Sequence, residues 1–340
     1  MPVSIQTKRR IFFAFILFIL IGVLLSVGIV HYLVHPSKSN SPDQTFVVRE
    51  GSTLTSVIGG LQKRGIINNK TLLLLWSRFT GYGSKIKAGE YRLNRNMAPL
   101  EILNILSKGI IITHSVTIPE GFTINQIAEE LETKRLAAGA EFLTLAEDTD
   151  IAKRHNLPGP SLEGYLYPDT YRFARGQSTL SIIDVMVKHF FKVIFPLREK
   201  IDASGMTLRQ VITLASLIEK ETGQGKERPI IASVFLNRLK KGMRLESDPT
   251  VIYGIKDFSG NLTRKDLNKP TPYNTYVIKG LPVGPIANPG KEAIQAVLNP
   301  ADTDYLYFVS KNDGSHHFSR TLKEHNRAVR LYQKKRRPGK

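Results

Sequence analysis

The order of apolar and polar positions divides this chain into one long apolar run followed by many short periodic ones. Residues 11–30 carry no charged side chain and are apolar almost throughout, which supplies the roughly 20 residues an α-helix needs to cross a hydrocarbon core. A polar, Pro/Ser-rich stretch, PSKSNSPDQ at 36–44, reads as a short flexible tether. Periodicity then resumes and predicts a strand over 45–48, an amphipathic helix over 53–63, a second helix over 70–80, a strand over 88–93 and a short helix over 99–107 with Pro99 in its first turn.

The pattern of 46–64, FVVREGSTLTSVIGGLQKR, returns at 116–135 as VTIPEGFTINQIAEELETKR. Val48, Glu50, Gly51, Thr53, Leu54, Val57 and Leu61 pair with Ile118, Glu120, Gly121, Thr123, Ile124, Ile127 and Leu131. Each copy predicts a strand, a Glu-Gly turn and a helix that opens on a Thr cap. A turn, a cap or a core face explains every matched position, so the repeat reads as structural.

Residues 207–223, TLRQVITLASLIEKETG, form the element the rest of the chain serves. Thr207 and Gln210 have the spacing of a capping box. At about 100° per residue, Leu208, Val211, Ile212, Leu214, Ala215, Leu217 and Ile218 share one broad arc, with Arg209, Thr213, Ser216 and Lys220 on a narrow opposite face. Glu219 falls in the apolar arc near the end that Gly223 is expected to stop. Glu221 lies on the same arc, so periodicity does not choose between the two acids. Burial raises a carboxyl pKa, which suits a proton donor near neutral pH, whereas a carboxylate at a helix end can equally be solvated or paired. A further helix is expected over 228–241, with Pro229 in its first turn, Gly242 past its end, and Ile230, Ile231, Val234 and Phe235 facing the core.

No regular element fits 157–171, LPGPSLEGYLYPDTY. Aromatic rings beside acids and amides in an ordered loop suit sugars, whose C–H faces stack while their hydroxyls take hydrogen bonds. Glu163 is the rival acid here; its structural reading, accepting backbone N–H bonds to hold the loop, outweighs direct catalysis.

Composition narrows the picture. The 340 residues contain no cysteine, which removes disulfides, thiolate metal sites and a cysteine nucleophile. A formal charge of +19 fits a polyanionic or acidic setting without choosing one. Lys8, Arg9 and Arg10 precede the apolar run, so the positive-inside rule keeps the N-terminus in the cytoplasm and sends the bulk across, which argues against nucleic acid as a partner. An uncleaved anchor is favoured over a signal peptide, whose apolar core is shorter and ends at a small-residue site. GPSLEG (159–164) lacks the final Gly of a nucleophile elbow, and GPIANPGK (284–291) has the wrong glycine spacing for a phosphate loop. His316, His317 and His325 lack the carboxylate spacing of a metal site. No metal and no cofactor are expected. The tail KKRRPGK (334–340) reads as a solvated end that touches an anionic membrane surface.

Several blocks resemble one family. ASLIEKET (215–222), LEGYLYPDTY (162–171), SDPTVIYG (247–254), TPYNTYVIKGLPVGPIANPG (271–290) and YLYFVSKNDGSHHFSRTLKEHN (305–326) are similar to those of the endolytic murein transglycosylases, the YceG-like family. Thr271 and Val283 depart from the expected Ser and Pro, both at loop positions. IKAGEYRL (86–93) in its strand, helix, helix, strand setting resembles a LysM module, and a packing domain without sugar contact fits it as well. The resemblance implies an α+β chain: a cytoplasmic N-terminus (1–10), a transmembrane helix (11–34), a linker (35–44), a LysM-like domain (45–112), a catalytic domain (113–333) and the basic tail (334–340). It implies a single-pass inner-membrane protein with its catalytic part in the periplasm, cutting MurNAc–GlcNAc bonds within nascent glycan strands to leave 1,6-anhydro ends, beside membrane lipid and peptidoglycan synthases. The first acid of the pair, Glu219, is implied as the catalytic residue, with Glu163, Tyr167, Asp248, Asn274 and Tyr276 as candidate sugar contacts. A hydrolytic muramidase, which needs a second carboxylate such as Glu163 or Asp248, and a non-catalytic wall-binding scaffold are the alternatives.

Overall fold

The computed structural model describes residues 5–36, 41–256, 258 and 260–333. Its helices and small two-stranded sheets make an α+β chain, as the pattern predicts. The chain divides into two units, Met1–His114 with Arg172–Ser178, and Ser115–Tyr171 with Thr179–Lys340.

The first unit begins with α1 (Ile5–Val34), whose segment Phe12–Val34 is long and apolar enough to cross a membrane. The last turns of α1 belong to a core: Leu33 is 2% exposed, and Ile29 and Tyr32 pack beside it. Tyr32 also donates its hydroxyl to the Asn69 carbonyl at 2.8 Å. Of the expected tether, residues 37–40 lie outside the described residues. Ser41 and Asp43 are tied down, Ser41 N–H donating to Asn96 Oδ1 at 2.8 Å and Asn94 Nδ2 to Asp43 Oδ1 at 2.6 Å. β1 (Gln44–Val48) pairs antiparallel with β2 (Gly89–Leu93), Phe46 opposite Tyr91. Period-2 alternation turns Phe46, Val48, Tyr91 and Leu93 inward. There they meet α2 (Leu54–Lys63), α3 (Lys70–Phe79) and α4 (Pro99–Lys108), each within a residue of its expected bounds.

The second unit opens with the other copy of the repeat. β3 (His114–Thr117) leads through Glu120 and Gly121 into α5 (Ile124–Thr133). Gly51 and Gly121 both sit in the left-handed region, at φ 78° and 79°, which a non-glycine residue adopts only with strain. Thr53 and Thr123 cap their helices by accepting from Ser56 and Gln126 N–H, as predicted. α6 (Gly139–Ala146) and α7 (Thr149–Arg154) follow. β4 (Thr170–Phe173) then pairs with β3, so a strand begins inside the stretch assigned no regular element. The run TYRF alternates in burial as a strand must, but its four residues are too few to stand out beside the prolines before them.

After α8 (Thr179–Ile194) and α9 (Arg198–Ala203) comes α10 (Leu208–Glu221), closed at its start by the Thr207–Gln210 capping box. It packs against α11 (Arg228–Lys240), α12 (Asp248–Tyr253) and α14 (Lys291–Leu298), with the short α13 (Arg264–Leu267) between them in sequence. β5 (Tyr307–Ser310), β6 (His316–Ser319) and α15 (Leu322–Tyr332) complete the unit.

Three expectations for these helices are corrected. Thr213 and Ser216, placed on the narrow face opposite the apolar arc, are buried as well, the 283–286 segment meeting that face at Arg209 and Ser216. Ser216 Oγ accepts from Ile286 N–H at 3.0 Å and donates to the Thr213 carbonyl at 2.7 Å, so small hydroxyls serve there as core groups. The stop of α10 is made by Thr222 turning extended, φ −146° and ψ 137°, rather than by Gly223. Ile230 is only half-buried, while Ile231, Val234 and Phe235 are core as expected.

Candidate active site

The C-terminal turn of α10 carries two acids with opposite surroundings. Glu219 faces a charged cluster. Its side chain is 6% exposed and accepts from Arg228 Nη2 at 2.8 Å and from Gly290 N–H at 3.0 Å. Arg228 also bonds Glu292 and lies 3.5 Å from Glu120, so one buried guanidinium answers three carboxylates. Burial raises the Glu120 carboxyl and the Glu219 charge adds to it, with Arg228 pulling the other way. The cluster fixes backbone as well: a Cβ at Gly290 would run into the Glu120 carboxylate, and Gly121 approaches so closely that its Cβ would stand 3.4 Å from Glu219 Cγ. Lys220 Nζ reaches the Gly121 carbonyl at 3.3 Å.

Glu221 faces a cavity of about 350 Å³. Among the described residues its hydrogen-bond partner is the Ser247 hydroxyl, which donates to Oε1 at 2.5 Å. Burial pushes its carboxyl up to about 7; Asp248's charge works in the same direction, while the Ser247 bond and the more distant Arg238 work against it. Asp248, Tyr276, Glu246, Phe308, His316 and His325 line the same cavity. Tyr276 donates its hydroxyl to Asp248 at 2.6 Å. Arg238, also on the wall, is spent on structure, donating to the carbonyls of Leu306, Arg244 and Leu245. The surroundings sought in the sequence for a proton donor, burial without a bonded cation, are those of Glu221.

The other candidates divide. Asp248 and Tyr276 stand together at the cavity. Asn274 is fully buried and its amide holds its own loop, donating to Leu267 and Lys269 carbonyls at 3.0 and 2.7 Å and accepting from Tyr276 N–H at 2.9 Å. The Tyr167 ring lies 4.9 Å from that of His189, tilted at 52°, and burial, followed by the Glu120 and Asp169 charges, raises its hydroxyl. Glu163 is 2% exposed and central to a buried network: it accepts from Ile124 N–H at 3.2 Å, Tyr253 hydroxyl at 3.0 Å and Asn288 Nδ2 at 2.9 Å. Burial drives its carboxyl up to about 7 against those bonds. Asn288 in turn ties down the second repeat, its backbone carbonyl accepting from Gly121 N–H at 2.8 Å and its N–H donating to the Phe122 carbonyl at 2.8 Å.

Sequence reasoning did not find Arg228, Ser247, Glu227 or Asn288, and it weighed His316 only as a metal ligand, a role it set aside. Their partners lie up to 166 positions away, as for Asn288 and Phe122, and no local period marks such pairs. A buried acid on an apolar helix arc was the available signal, and it pointed to both acids.

A mixed α+β unit whose last α10 acid faces a cavity, beside Asp248 and Glu246, fits a polysaccharide-cleaving enzyme. Residues 46–331 match the model of the YceG-like family, and the chain belongs to that family. A protein of Bacillus subtilis (strain 168) named endolytic murein transglycosylase is 33% identical over 318 residues, 88% of each chain. One of the same name from Streptococcus pneumoniae serotype 2 (strain D39 / NCTC 7466) is 29% identical over 86% of this chain, which spans 59% of that longer relative. The crystal structure of a YceG-like protein from Listeria monocytogenes aligns with 34% identity and a TM-score of 0.59, covering 85% of this chain and all of that one.

Proposed function

We propose that this protein is an endolytic murein transglycosylase, cutting the MurNAc–GlcNAc bond within peptidoglycan strands and leaving 1,6-anhydro ends. Membership of the YceG-like family and the names of its relatives support the reaction class. The observation that carries the chemistry is Glu221: a carboxyl pushed up to about 7 at the wall of a sugar-sized cavity, hydrogen-bonded by a hydroxyl. A proton held near neutral pH is what the glycosidic oxygen needs as its bond to C1 breaks. The muramic C6 hydroxyl then closes on C1 in place of water, so one acid begins a reaction that most glycosidases run with two carboxylates. Glu219, the acid implied by motif resemblance, is the second reading. Its bonds to Arg228 and Gly290 make it the clamp that holds the 290 turn and the 120 turn against α10.

Asp248 at the same cavity keeps hydrolysis as the rival reaction. Mass analysis of digested peptidoglycan decides between them. Anhydro ends, one water lighter than reducing ends, are expected, and reducing ends alone would sink the transglycosylase reading.

We read α1 as an inner-membrane anchor with its N-terminus in the cytoplasm, the folded units in the periplasm beside lipid and peptidoglycan synthases, and the first unit as a LysM-like wall-binding domain. The apolar span supports the anchor, and the β1-α2-α3-β2 order supports the domain. Protease added to spheroplasts should digest both units; full protection would reverse the topology.

A further inference from the structure

His316 stands on the same cavity wall as Glu221 and is held in an orientation that leaves one ring nitrogen free. Its backbone N–H donates to Glu227 Oε1 at 2.9 Å, and its Nδ1 pairs with Glu227 Oε2 at 2.7 Å. Both side chains are largely buried, at 12% and 7% exposed. Glu227 is itself fixed, because Thr222, the residue after Glu221, donates its hydroxyl to the same Oε2 at 3.3 Å. A carboxylate on Nδ1 places that nitrogen's proton in the shared bond and leaves Nε2 as the acceptor. Among the described residues no group bonds Nε2. The dyad is therefore joined to the end of α10 through Thr222, and both of its members lie far in sequence from each other.

We propose that His316 is the base of the reaction and Glu227 its positioning partner, an inference that rests on the transglycosylase reading above. His316 Nε2 takes the proton from the muramic C6 hydroxyl as O6 forms its bond to C1. The C1–O4 bond breaks, and the departing GlcNAc oxygen takes the proton of Glu221. The enzyme is left with an imidazolium and a carboxylate; transfer of the proton from His316 back to Glu221, through solvent in the cavity, restores both for the next bond. No oxidant, metal or water is consumed. The charged and titratable groups around His316 on this wall are Glu221, Glu227, Arg238, Glu246, Asp248 and His325.

The test uses the full chain on purified peptidoglycan, following release of anhydro ends. His316→Gln should lower kcat by about 10² to 10⁴ with little change in KM, and the acid limb of the rate profile, which reports the unprotonated base, should flatten. His316→Ala should regain activity when imidazole is added, a response that a purely structural histidine does not give. Glu227→Gln, whose amide can donate to Nδ1 and force the proton onto Nε2, should lose kcat while keeping the wild-type melting temperature; this variant carries the test if His316→Gln fails to fold. Wild-type kcat and an unchanged acid limb in both His316→Gln and Glu227→Gln would overturn the proposal and leave Glu221 to act as acid and base alone. Reducing ends from the wild type would instead fail the transglycosylase reading itself, so the two failures are distinguishable.

Discussion

The two faces of the last turn of α10 show how one short stretch of helix can hold a carboxylate for two purposes. On one face, Glu219 meets a guanidinium and a backbone N–H, and the result is a clamp that ties three separate segments together. On the other, Glu221 meets a hydroxyl and open space, and burial pushes its carboxyl up to about 7. Two residues of separation turn the side chain through about 200°, so neighbouring acids in sequence become strangers in space. What decides the role is the partner: a buried charge with a cation is satisfied, and one without a cation keeps its proton.

The sharpest way to break the comparison is to neutralise each acid separately. Glu221→Gln should lower turnover by about 10² to 10⁴ and leave the melting temperature equal or higher, since it removes the cost of burying a charge. Glu219→Gln should keep most turnover and melt earlier, because Arg228 loses its most buried carboxylate partner. Reversed profiles for the two variants, read from anhydro-end release and calorimetry, would return the proton donor to Glu219.

Arg228→Met tests the clamp from its other side. It leaves Glu120, Glu219 and Glu292 together without their cation, and removing one partner of a buried pair costs about 3–5 kcal/mol. Chemical denaturation should show that loss, and a change below about 1 kcal/mol would show that the cluster holds nothing.

The raised acids also make a prediction in pH. Glu163 and Glu221 sit near 7 in the folded protein against an ordinary 4.5, so the folded state binds their protons more tightly than the unfolded chain does. Their contribution is full below about 4.5 and is lost as pH rises through about 7, with each unit of separation worth about 1.4 kcal/mol. The difference in stability between wild type and Glu163→Gln, or Glu221→Gln, should therefore shift against the wild type across that window. A difference that stays flat from pH 4 to 8 would mean that the buried proton is not there.

The smallest effect belongs to the repeat. Thr123→Ala removes the cap of α5 and should cost about 1 kcal/mol in a denaturant melt, without changing turnover. A large loss of activity would mean that the turn at Glu120 and Gly121 does more than carry the clamp.

Most of the fold was legible because it is written locally. Caps such as Thr53, Thr123 and Thr207, turns such as Gly51 and Gly121, and periodic apolar faces each declare themselves within a few residues. The β4 strand was not, since TYRF is short and follows a Pro- and Gly-rich loop. The burial of Thr213 and Ser216 was not, since a hydroxyl looks exposed until the segment that covers it, more than 60 residues away, is in place. The site was half legible. An acid on an apolar arc narrows the choice to Glu219 and Glu221, but Arg228, Gly290 and Ser247 assign their partners, and those meet only in three dimensions.

Leu33 has a practical consequence for anyone who wants to trim the long apolar helix from this protein. The customary cut falls just after the apolar helix, yet Ile29, Tyr32 and Leu33 are bricks of the first unit's interior as well as the end of that helix. A chain starting at residue 36 would open with a hole in its foundation, and loss of one large buried aliphatic alone costs about 2–5 kcal/mol. The safer cut lies upstream of Ile29, where the helix has left the core and only its greasy shaft remains to be trimmed or recoded.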